Sequence, residues 1–367
     1  MKNPRIRDEM FMDDALKLGA KGLGWTNPNP MVGAVIVKNG KIIGRGYHRR
    51  AGSAHAEIEA LAGAGVNAHG ATLYVNLEPC SHFGKTPPCV DAVTKAGIKR
   101  VVCSTIDPNS LVRGQGVAGL KKAGISVSVG TRKKEARSLN EAFFVFHEKK
   151  RPFVALKFAV SLDGKLATRT GDSKWITGEK VRHFARGLRG AYQAILVGVN
   201  TVIRDNPNLG ARTKGKKDPL RIIVDSHLRI PQNALVLRDT NVIIATTSSA
   251  PKTKIKNLEK RGIRVLAFNG TRVPIPKLLA ELRKQEVISV FVEGGGEILG
   301  SFIDAKIADK VYVFCAPILV GGTGANSIGG MGVQKIARAL RFKTMSVERF
   351  GDNILVIASG LPIDSPA

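Results

Sequence analysis

The chain of 367 residues contains few cysteines, and this scarcity argues against a fold held together by disulfides. Only four are present, Cys80, Cys89, Cys103 and Cys315. Small secreted domains that depend on disulfides are much denser in cysteine. We therefore expect a reduced, cytoplasmic protein in which each cysteine is a buried thiol or a metal ligand.

Long apolar runs are also lacking. No stretch of eighteen apolar residues occurs, so the sequence predicts no membrane-spanning helix and no membrane partner. The first twenty residues show no apolar segment followed by a small-residue cleavage site, and we expect no signal peptide. Aromatic residues make up only 5% of the chain, which favours aliphatic cores.

Acidic residues are scarce beside basic ones, 29 against 57, giving a net charge of +28. Such a balance is compatible with a nucleic-acid partner, with phosphorylated small molecules, or with a merely basic surface. The basic runs are short, and aromatic residues do not interleave with them. Each run is therefore interpreted as a solvated surface, and we expect no nucleic-acid partner.

Helix and strand patterns alternate in two series, as expected for two α/β domains. The first series reaches about residue 145, and the charged stretch HEKKRP at 147–152 separates it from the second. We predict domains at 1–148 and 149–367. The second series starts at 153–165. Its predicted strands are nearly continuous apolar runs, which favours a parallel sheet covered on both faces; they lie at 194–203, 220–226, 241–247, 263–268, 287–296 and 310–319.

The first series has clearer local signals. Residues 31–47 predict a β-hairpin that turns at Asn39-Gly40. A helix is predicted over 54–65, with Ser53 as its N-cap and Gly63 or Gly65 at its end. Further predicted elements are strands at 71–79, 99–107 and 125–129 and helices at 89–97 and 111–124.

Three potential metal ligands fall at the ends of these elements. His55 lies at the start of the first long helix, Cys80 follows Pro79 after a strand, and Cys89 begins a helix eight intervening residues later. Taken singly, each would be interpreted as a structural histidine or a buried thiol. Together, one imidazole and two thiolates suit zinc with a fourth position left for water, as in catalytic sites.

Glu57 lies two residues after His55 and can act beside the metal without binding it. Zinc lowers the pKa of a bound water, and a neighbouring carboxylate can carry its proton to a substrate. The order H-x-E, P-C, C is the signature of zinc nucleobase deaminases. Glu57 is therefore the predicted catalytic residue, and His55, Cys80 and Cys89 are the predicted zinc ligands.

Several segments resemble the RibD family of bifunctional riboflavin-biosynthesis enzymes. In the first half these are TNPNPMVGAVIV, GYH, AHAE and LEPCSHFGKTPPC, with the long gap between the cysteines. Transfer-RNA and cytidine deaminases typically have only two residues in that gap. The second half contributes 157–177, 197–212, 221–231 and 290–302. One departure is DPNS, with Ser110, where the family commonly has D-P-N-P.

The resemblance implies an N-terminal cytidine-deaminase-like α/β/α domain and a C-terminal dihydrofolate-reductase-like α/β domain. It implies zinc-dependent deamination of 2,5-diamino-6-ribosylamino-4(3H)-pyrimidinone 5′-phosphate. NADPH would then reduce the ribosyl group, giving 5-amino-6-ribitylaminouracil 5′-phosphate. The implied substrate is thus a phosphorylated pyrimidine, and we expect a homo-oligomer, either a dimer or a tetramer.

The resemblance also assigns binding residues. The substrate contacts that it implies are Asn29, His48, Lys85, Lys157, Ser173, Arg189, Leu209, Arg212 and Glu293. The NADPH contacts that it implies are Ala159, Trp175, Thr201, Asp205, Ser226, Gly295, Gly296, Glu297, Ile298, Leu299, Gly300 and Ser301. Arg189 and Arg212 could clamp a phosphate.

The glycine turn within this second set has a physical interpretation of its own. Gly294-Gly295-Gly296 lies between a strand and a helix, where the backbone can approach a phosphate. Leu299 stands where a G-x-G-x-x-G motif needs its last glycine, so a Rossmann fold is not supported. The apolar face of this helix is predicted to comprise Ile298, Leu299, Phe302, Ile303 and Ile307.

Two other functions remain open on the sequence. The basic charge favours a zinc deaminase that acts on nucleic acid, although the cysteine spacing and the second domain oppose it. Alternatively, the zinc could be structural in a non-catalytic binding protein.

Overall fold

The computed structural model describes residues 4–83, 87–212, 215, 217–326 and 328–360. The chain forms two compact units, Met1–Arg151 and Pro152–Ala367. The division lies within the charged stretch at 147–152, slightly after the predicted boundary between residues 148 and 149. No helix in the described ranges has both the length and the apolar character needed to cross a membrane.

The first unit is built around one five-stranded sheet. Its helices are α1 (Pro4–Ala20), α2 (Ala56–Ala64), α3 (Cys89–Lys95), α4 (Gln115–Lys122), α5 (Lys133–Leu139) and α6 (Glu141–Glu148). Its strands are β1 (Gly33–Lys38), β2 (Lys41–Tyr47), β3 (Thr72–Val75), β4 (Arg100–Cys103) and β5 (Ser126–Val129). The strand order is β2-β1-β3-β4-β5; β1 runs antiparallel to both neighbours, and the pairs β3-β4 and β4-β5 are parallel.

Helices cover both faces of this sheet, as an α/β/α domain requires. Ala34, Leu73 and Val101 share one buried cluster with residues of α2, α3 and α4. The alternate residues, such as Val35 and Tyr74, pack with α1 on the opposite face. Side chains alternate between the faces of a strand, so this sequence of buried aliphatic residues supplies both layers.

The predicted hairpin is confirmed. Asn39 and Gly40 have φ angles of 52° and 76°, the left-handed values that a tight turn between two strands requires. The antiparallel ladder pairs Gly33 with Tyr47 and Lys38 with Lys41.

Helix α2 lies unusually close to β2 because two glycines face it. A Cβ on Gly44 would stand 2.2 Å from the Ala60 carbonyl oxygen, and one on Gly46 would stand 2.2 Å from that of Ala56. The helix ends before Gly65, one of the two predicted positions. The predicted N-cap, Ser53, is wrong: His55 is the cap residue, while the Ser53 hydroxyl bonds to Arg50 in the preceding turn.

The second unit contains a nine-stranded sheet. Its helices are α7 (Glu179–Arg189), α8 (Val199–Asp205), α9 (Lys252–Lys260), α10 (Ile275–Lys284) and α11 (Gly296–Asp304). Its strands are β6 (Phe153–Ser161), β7 (Lys165–Ala167), β8 (Ala194–Gly198), β9 (Leu220–Val224), β10 (Val242–Thr247), β11 (Arg264–Phe268), β12 (Ser289–Glu293), β13 (Lys310–Ala316), β14 (Ala325–Asn326), β15 (Thr344–Phe350) and β16 (Asn353–Ser359). The order is β11-β10-β9-β8-β12-β6-β13-β16-β15, with β7 and β14 pairing separately.

The predicted parallel arrangement holds from β11 to β13, where every neighbouring pair is parallel. The strand predicted over 194–203 is wrong in its second half, which forms α8 after Gly198. The antiparallel hairpin β15–β16 at one edge was not predicted, because nearly all of β15 is exposed and its sequence lacks a buried apolar run. The predicted α11 face is confirmed for Ile298, Leu299 and Phe302, which are buried, and for Ile303, which packs partly buried against the same core. It is wrong for Ile307, because the helix ends at Asp304.

Replacing Gly46 with alanine should destabilise the first unit. The new methyl group would overlap the Ala56 carbonyl and push α2 away from β2, at roughly 1–3 kcal/mol for an overpacked contact. Gly63→Ala, on the same helix, is the matched control: its nearest neighbour is the Gly44 Cα at 3.6 Å, an ordinary contact. Scanning calorimetry of the full chain should show a lower transition for Gly46→Ala alone, and equal transitions would contradict the account.

Candidate active sites

The ends of three segments converge in the first unit. His55 is the cap residue of α2, Cys89 is the first residue of α3, and Cys80 lies in the loop that follows β3. The His55 Nδ1 atom is 3.2 Å from the Cys89 sulfur and 3.5 Å from the Cys80 sulfur. The three predicted ligands therefore meet at one point.

The protonation of the two thiols differs. A hydrogen bond from the Cys89 thiol lowers the pKa of Cys80 to about 4, and the same hydrogen bond, reinforced by burial, raises the pKa of Cys89. The hydrogen bond between His55 and the Cys80 sulfur raises the pKa of His55. The Cys89 backbone N–H also donates to the Cys80 sulfur, at 3.4 Å. Hydrogen-bond donors thus surround the Cys80 sulfur and stabilise its negative charge, as a bound cation would also do.

The three ligand atoms, from His55, Cys80 and Cys89, fit a zinc ion. All three ligand atoms lie within 4.8 Å of one another, and no other group of three or more His, Cys, Asp or Glu side chains in the described ranges is arranged to hold a metal. One nitrogen and two sulfurs suit a soft, tetrahedral ion and leave one position for solvent or substrate.

Glu57 lies on the first turn of α2, where only 4% of its surface is exposed. Burial raises the pKa of Glu57 to about 7. A carboxyl group with that pKa can both release and take up a proton near neutral pH, which general acid-base catalysis requires. The Glu57 carboxyl group contacts the Cys89 side chain and so lies next to the ligand cluster.

Two predicted substrate residues lie beside this cluster. The His48 ring meets the His55 ring edge-on, with centroids 5.5 Å apart. His48 Nδ1 is 3.1 Å from the Ala54 carbonyl oxygen, and the Asn29 amide nitrogen is 3.1 Å from His48 Nε2. Burial lowers the pKa of His48, and the neutral ring can donate to Ala54 while accepting from Asn29. Lys85, the third predicted contact, lies outside the described residues.

Sequence reasoning missed two buried asparagines that hold the loop carrying Asn29. The Asn140 amide binds both the N–H and the carbonyl of Met31, at 2.7 and 2.9 Å. Asn76 donates to the same carbonyl and accepts from the Gly33 N–H. No local motif marks Asn140, because its partner is 109 residues away in the chain.

A second cluster forms in the other unit from three predicted substrate residues. Lys157 on β6 pairs in register with Glu293 on β12. The Arg189 guanidinium, at the end of α7, donates twice to the Glu293 carboxylate, each time at 2.8 Å. Burial would raise the pKa of Glu293, but Arg189 and Lys157 hold it below its ordinary value, and burial lowers the pKa of Lys157.

The other predicted substrate residues of this unit are less buried, apart from Leu209. Arg212 and Ser173 are exposed. Leu209 and Arg212 both have positive φ angles, 59° and 51°, within the loop after α8. The Gly210 carbonyl in this loop accepts from Arg189 at 3.2 Å, which links the loop to the charged cluster.

The predicted NADPH residues include a strand-turn-helix at β12–α11. Gly294 has φ 159°, and a Cβ there would come within 2.9 Å of Ile298 and 3.6 Å of the Thr201 hydroxyl oxygen. Thr201 thus lies against the glycine turn, so both could contact the same cofactor. Ile298 and Leu299 are buried with their side chains in the core, and Gly300 is also buried, whereas Gly295 and Glu297 are exposed. Ser301, partly exposed, donates its hydroxyl to the Glu297 carbonyl.

The remaining predicted NADPH residues come from separate segments. Trp175, 67% exposed, packs under the Arg182 guanidinium at 4.3 Å. Asp205 pairs with Lys174 at 3.6 Å, and Ser226 accepts from the Val273 N–H at 3.2 Å. Ala159 lies on β6, two residues beyond Lys157.

Family models match both units. A model described as the RibD C-terminal domain covers residues 152–356. A model of the cytidine and deoxycytidylate deaminase zinc-binding region covers residues 5–105. The second range includes His55, Glu57, Cys80 and Cys89.

Named relatives match along nearly the whole chain. The riboflavin biosynthesis protein RibD of Aquifex aeolicus is 46% identical over 350 residues, covering 95% of this chain and 97% of its own. The RibD of Escherichia coli is 38% identical, with 95% and 98% coverage.

Two solved structures share the fold. One is RibD of Acinetobacter baumannii, with a TM-score of 0.89, 36% identity and coverage of 98% of this chain and 99% of that one. The other comes from Thermotoga maritima and is titled a diaminohydroxyphosphoribosylaminopyrimidine deaminase/5-amino-6-(5-phosphoribosylamino)uracil reductase. It has a TM-score of 0.87 and 38% identity, and covers 98% of this chain and 100% of that one.

Proposed function

Because the chain belongs to the RibD family and is a bifunctional deaminase and reductase of riboflavin biosynthesis, we propose that His55, Cys80 and Cys89 bind the zinc of its deaminase. The observation that carries this proposal is the meeting of one imidazole nitrogen and two sulfurs within 4.8 Å. The family also establishes the cofactors, zinc for the deaminase domain and NADPH for the reductase domain. Residues 1–148 are assigned to deamination and 149–367 to reduction.

Each residue of the deaminase site has a separate role in the reaction. Zinc, when bound, supplies an activated water for hydrolysis of an amine. Glu57 moves protons, because its buried carboxyl group lies beside the ligand cluster, where it can take a proton from water and give it to the ring nitrogen or the departing amine. Asn29 keeps its side-chain oxygen for a ring edge, since its amide nitrogen donates to His48.

The substrate of this step is a pyrimidine with a ribose phosphate, the class named for the Thermotoga maritima relative. Its amine at ring position 2 is hydrolysed to release ammonia. The family pattern implies that Lys85 contacts the phosphate end of the molecule. His48 is assigned instead to the wall beside the zinc ligands, because its two ring nitrogens bind Ala54 and Asn29. A free small molecule, not RNA, is therefore the assigned substrate.

The reductase residues form a site with surplus positive charge. Lys157 and Arg189 contribute two cations to one anion, Glu293, and burial strengthens their fields. Such a site suits an anionic phosphorylated substrate. NADPH supplies the hydride, and the protein orients the ribosyl carbon against it. Thr201, Ser226 and residues 295–297 are assigned to the cofactor.

An exposed apolar face on the edge hairpin supports the proposal that the chain forms an oligomer. Met345, Val347 and Ile354 share one face of the edge hairpin β15–β16, with exposures of 71%, 59% and 42%. A second copy of the chain would cover this apolar face, and light scattering should give the mass of a dimer or tetramer.

The cellular location is inferred from the cysteines. None of the four forms a disulfide, which fits the reducing cytoplasm.

Glu57→Gln should abolish ammonia release while keeping zinc. The amide cannot carry the proton, so kcat should fall by on the order of 10²–10⁴-fold, the usual contribution of a general acid-base group. Ammonia release from the diaminopyrimidine phosphate and zinc content by mass spectrometry are the two measurements. NADPH consumption with the deaminated substrate should be unchanged. Loss of zinc would contradict the assignment of Glu57 as a non-ligand, and unchanged turnover would support a structural zinc.

Glu293→Gln should impair only the reductase. Without the carboxylate, Lys157 and Arg189 lose their shared anion and repel one another, which should displace both from the substrate. We expect a roughly 100-fold lower kcat/KM for NADPH consumption, the effect of an ångström-scale misplacement. Glu281→Gln, on the exposed face of α10, is the matched control. Equal NADPH consumption in both variants, or an equal loss of ammonia release, would contradict this role.

A further inference from the structure

Glu78 is a buried carboxylate that the proposed mechanism does not use. It lies two residues before Cys80, and only 3% of its surface is exposed. A carboxylate is seldom buried this fully unless hydrogen bonds compensate the loss of water. Its partners therefore indicate what it does.

The partners of Glu78 come from the segment that follows β4 and from the first turn of α4. One carboxylate oxygen, Oε2, accepts from the backbone N–H groups of Asp107 at 3.1 Å and Gly114 at 2.9 Å. The other, Oε1, accepts from the N–H of Val117 at 3.0 Å. The Glu78 N–H donates to the Thr105 carbonyl at 3.0 Å. Both ends of Glu78 are thus tied to the same neighbouring segment.

These donors explain why a carboxylate is needed. Gly114 is the cap residue of α4 and has no side chain with which to bind the free N–H groups of the first turn. Glu78 supplies that acceptor from elsewhere in the chain, and its negative charge is favoured at a helix N-terminus. All three side-chain contacts are N–H donors, so a glutamine would turn its own N–H₂ toward at least one of them.

Helix α4 also touches the residue between Glu78 and Cys80. A Cβ on Gly116 would stand 2.0 Å from the Pro79 carbonyl oxygen and 3.1 Å from the Glu78 Cγ atom. On the other side, the Cys80 carbonyl accepts from the Val90 N–H at 3.2 Å, in the first turn of α3. The backbone around Cys80 is therefore held between α4 and α3.

We propose that Glu78 is the positioning residue for the Cys80 sulfur. By tying the start of α4 to the backbone two residues before Cys80, it fixes the direction in which the thiolate faces His55 and Cys89. The carboxylate does not reach the metal, so its effect is on metal affinity and coordination geometry. This inference rests on the proposed zinc ligands.

The test compares Glu78→Gln with the wild-type full-length chain by two readouts. Zinc affinity is measured by competition with a chelator, and the geometry by the visible absorption of the cobalt-substituted protein. Removing a group that orients a metal ligand typically weakens binding about 10- to 100-fold, and we expect a loss of that size. The tetrahedral cobalt bands should also shift or weaken. Glu135→Gln, an exposed residue of α5 in the same unit, should leave both readouts unchanged.

A purely structural role predicts a different result. Glu78→Gln would then lower the unfolding temperature, yet bind zinc within about twofold of the wild type, with the same cobalt spectrum; that outcome overturns the proposal. Should this variant fail to fold, Glu78→Asp carries the same two readouts, since it keeps both acceptor oxygens on a shorter side chain. Failure of the wild-type protein itself to bind zinc through His55, Cys80 and Cys89 would instead refute the proposed function.

Discussion

The deaminase half depends on holding two cysteine sulfurs next to each other and to an imidazole in a largely buried place. Two thiolates at that distance repel, and here the repulsion is relieved by leaving the proton on Cys89 and the negative charge on Cys80. A divalent cation displaces the remaining proton from Cys89 and turns the repulsion between the sulfurs into attraction to the metal. The surrounding fold has to impose the arrangement, because the sulfurs would not otherwise stay together.

The fold imposes this arrangement of the sulfurs and the imidazole through close backbone contacts. Gly44 and Gly46 bring α2, and with it His55 and Glu57, directly onto β2. Gly116 lets α4 reach the Pro79 carbonyl beside Cys80. Two buried asparagines, Asn76 and Asn140, hold the backbone next to Asn29, which binds His48. The catalytic side chains are few, and each is fixed by a contact between elements that are distant in the sequence.

The sequence predicted the cluster of His55, Cys80 and Cys89, because the chemistry and the spacing of these residues are both visible in it. The hairpin at Asn39-Gly40 was predictable for the same reason, since a local turn requires those residues. Partners such as Asn140 and Glu78 were not, because their hydrogen bonds run to backbone groups that only the folded chain brings near. Ser53 looked like a helix cap, but its hydroxyl donates to the Arg50 carbonyl in the preceding turn, and α2 begins at Ala56 with His55 as its cap residue. The edge strand β15 lacks a buried face, and so it lacks a strand signal.

The central claim is that one nitrogen and two sulfurs of this chain bind zinc and leave one position open. X-ray absorption at the zinc edge of the full-length protein tests it most directly. The account predicts two sulfur neighbours at about 2.3 Å and two lighter neighbours at about 2.0–2.1 Å, one of them from solvent. Cys80→Ser should reduce the sulfur count to one. A site with three or four sulfurs, or an unchanged count in that variant, would contradict the account.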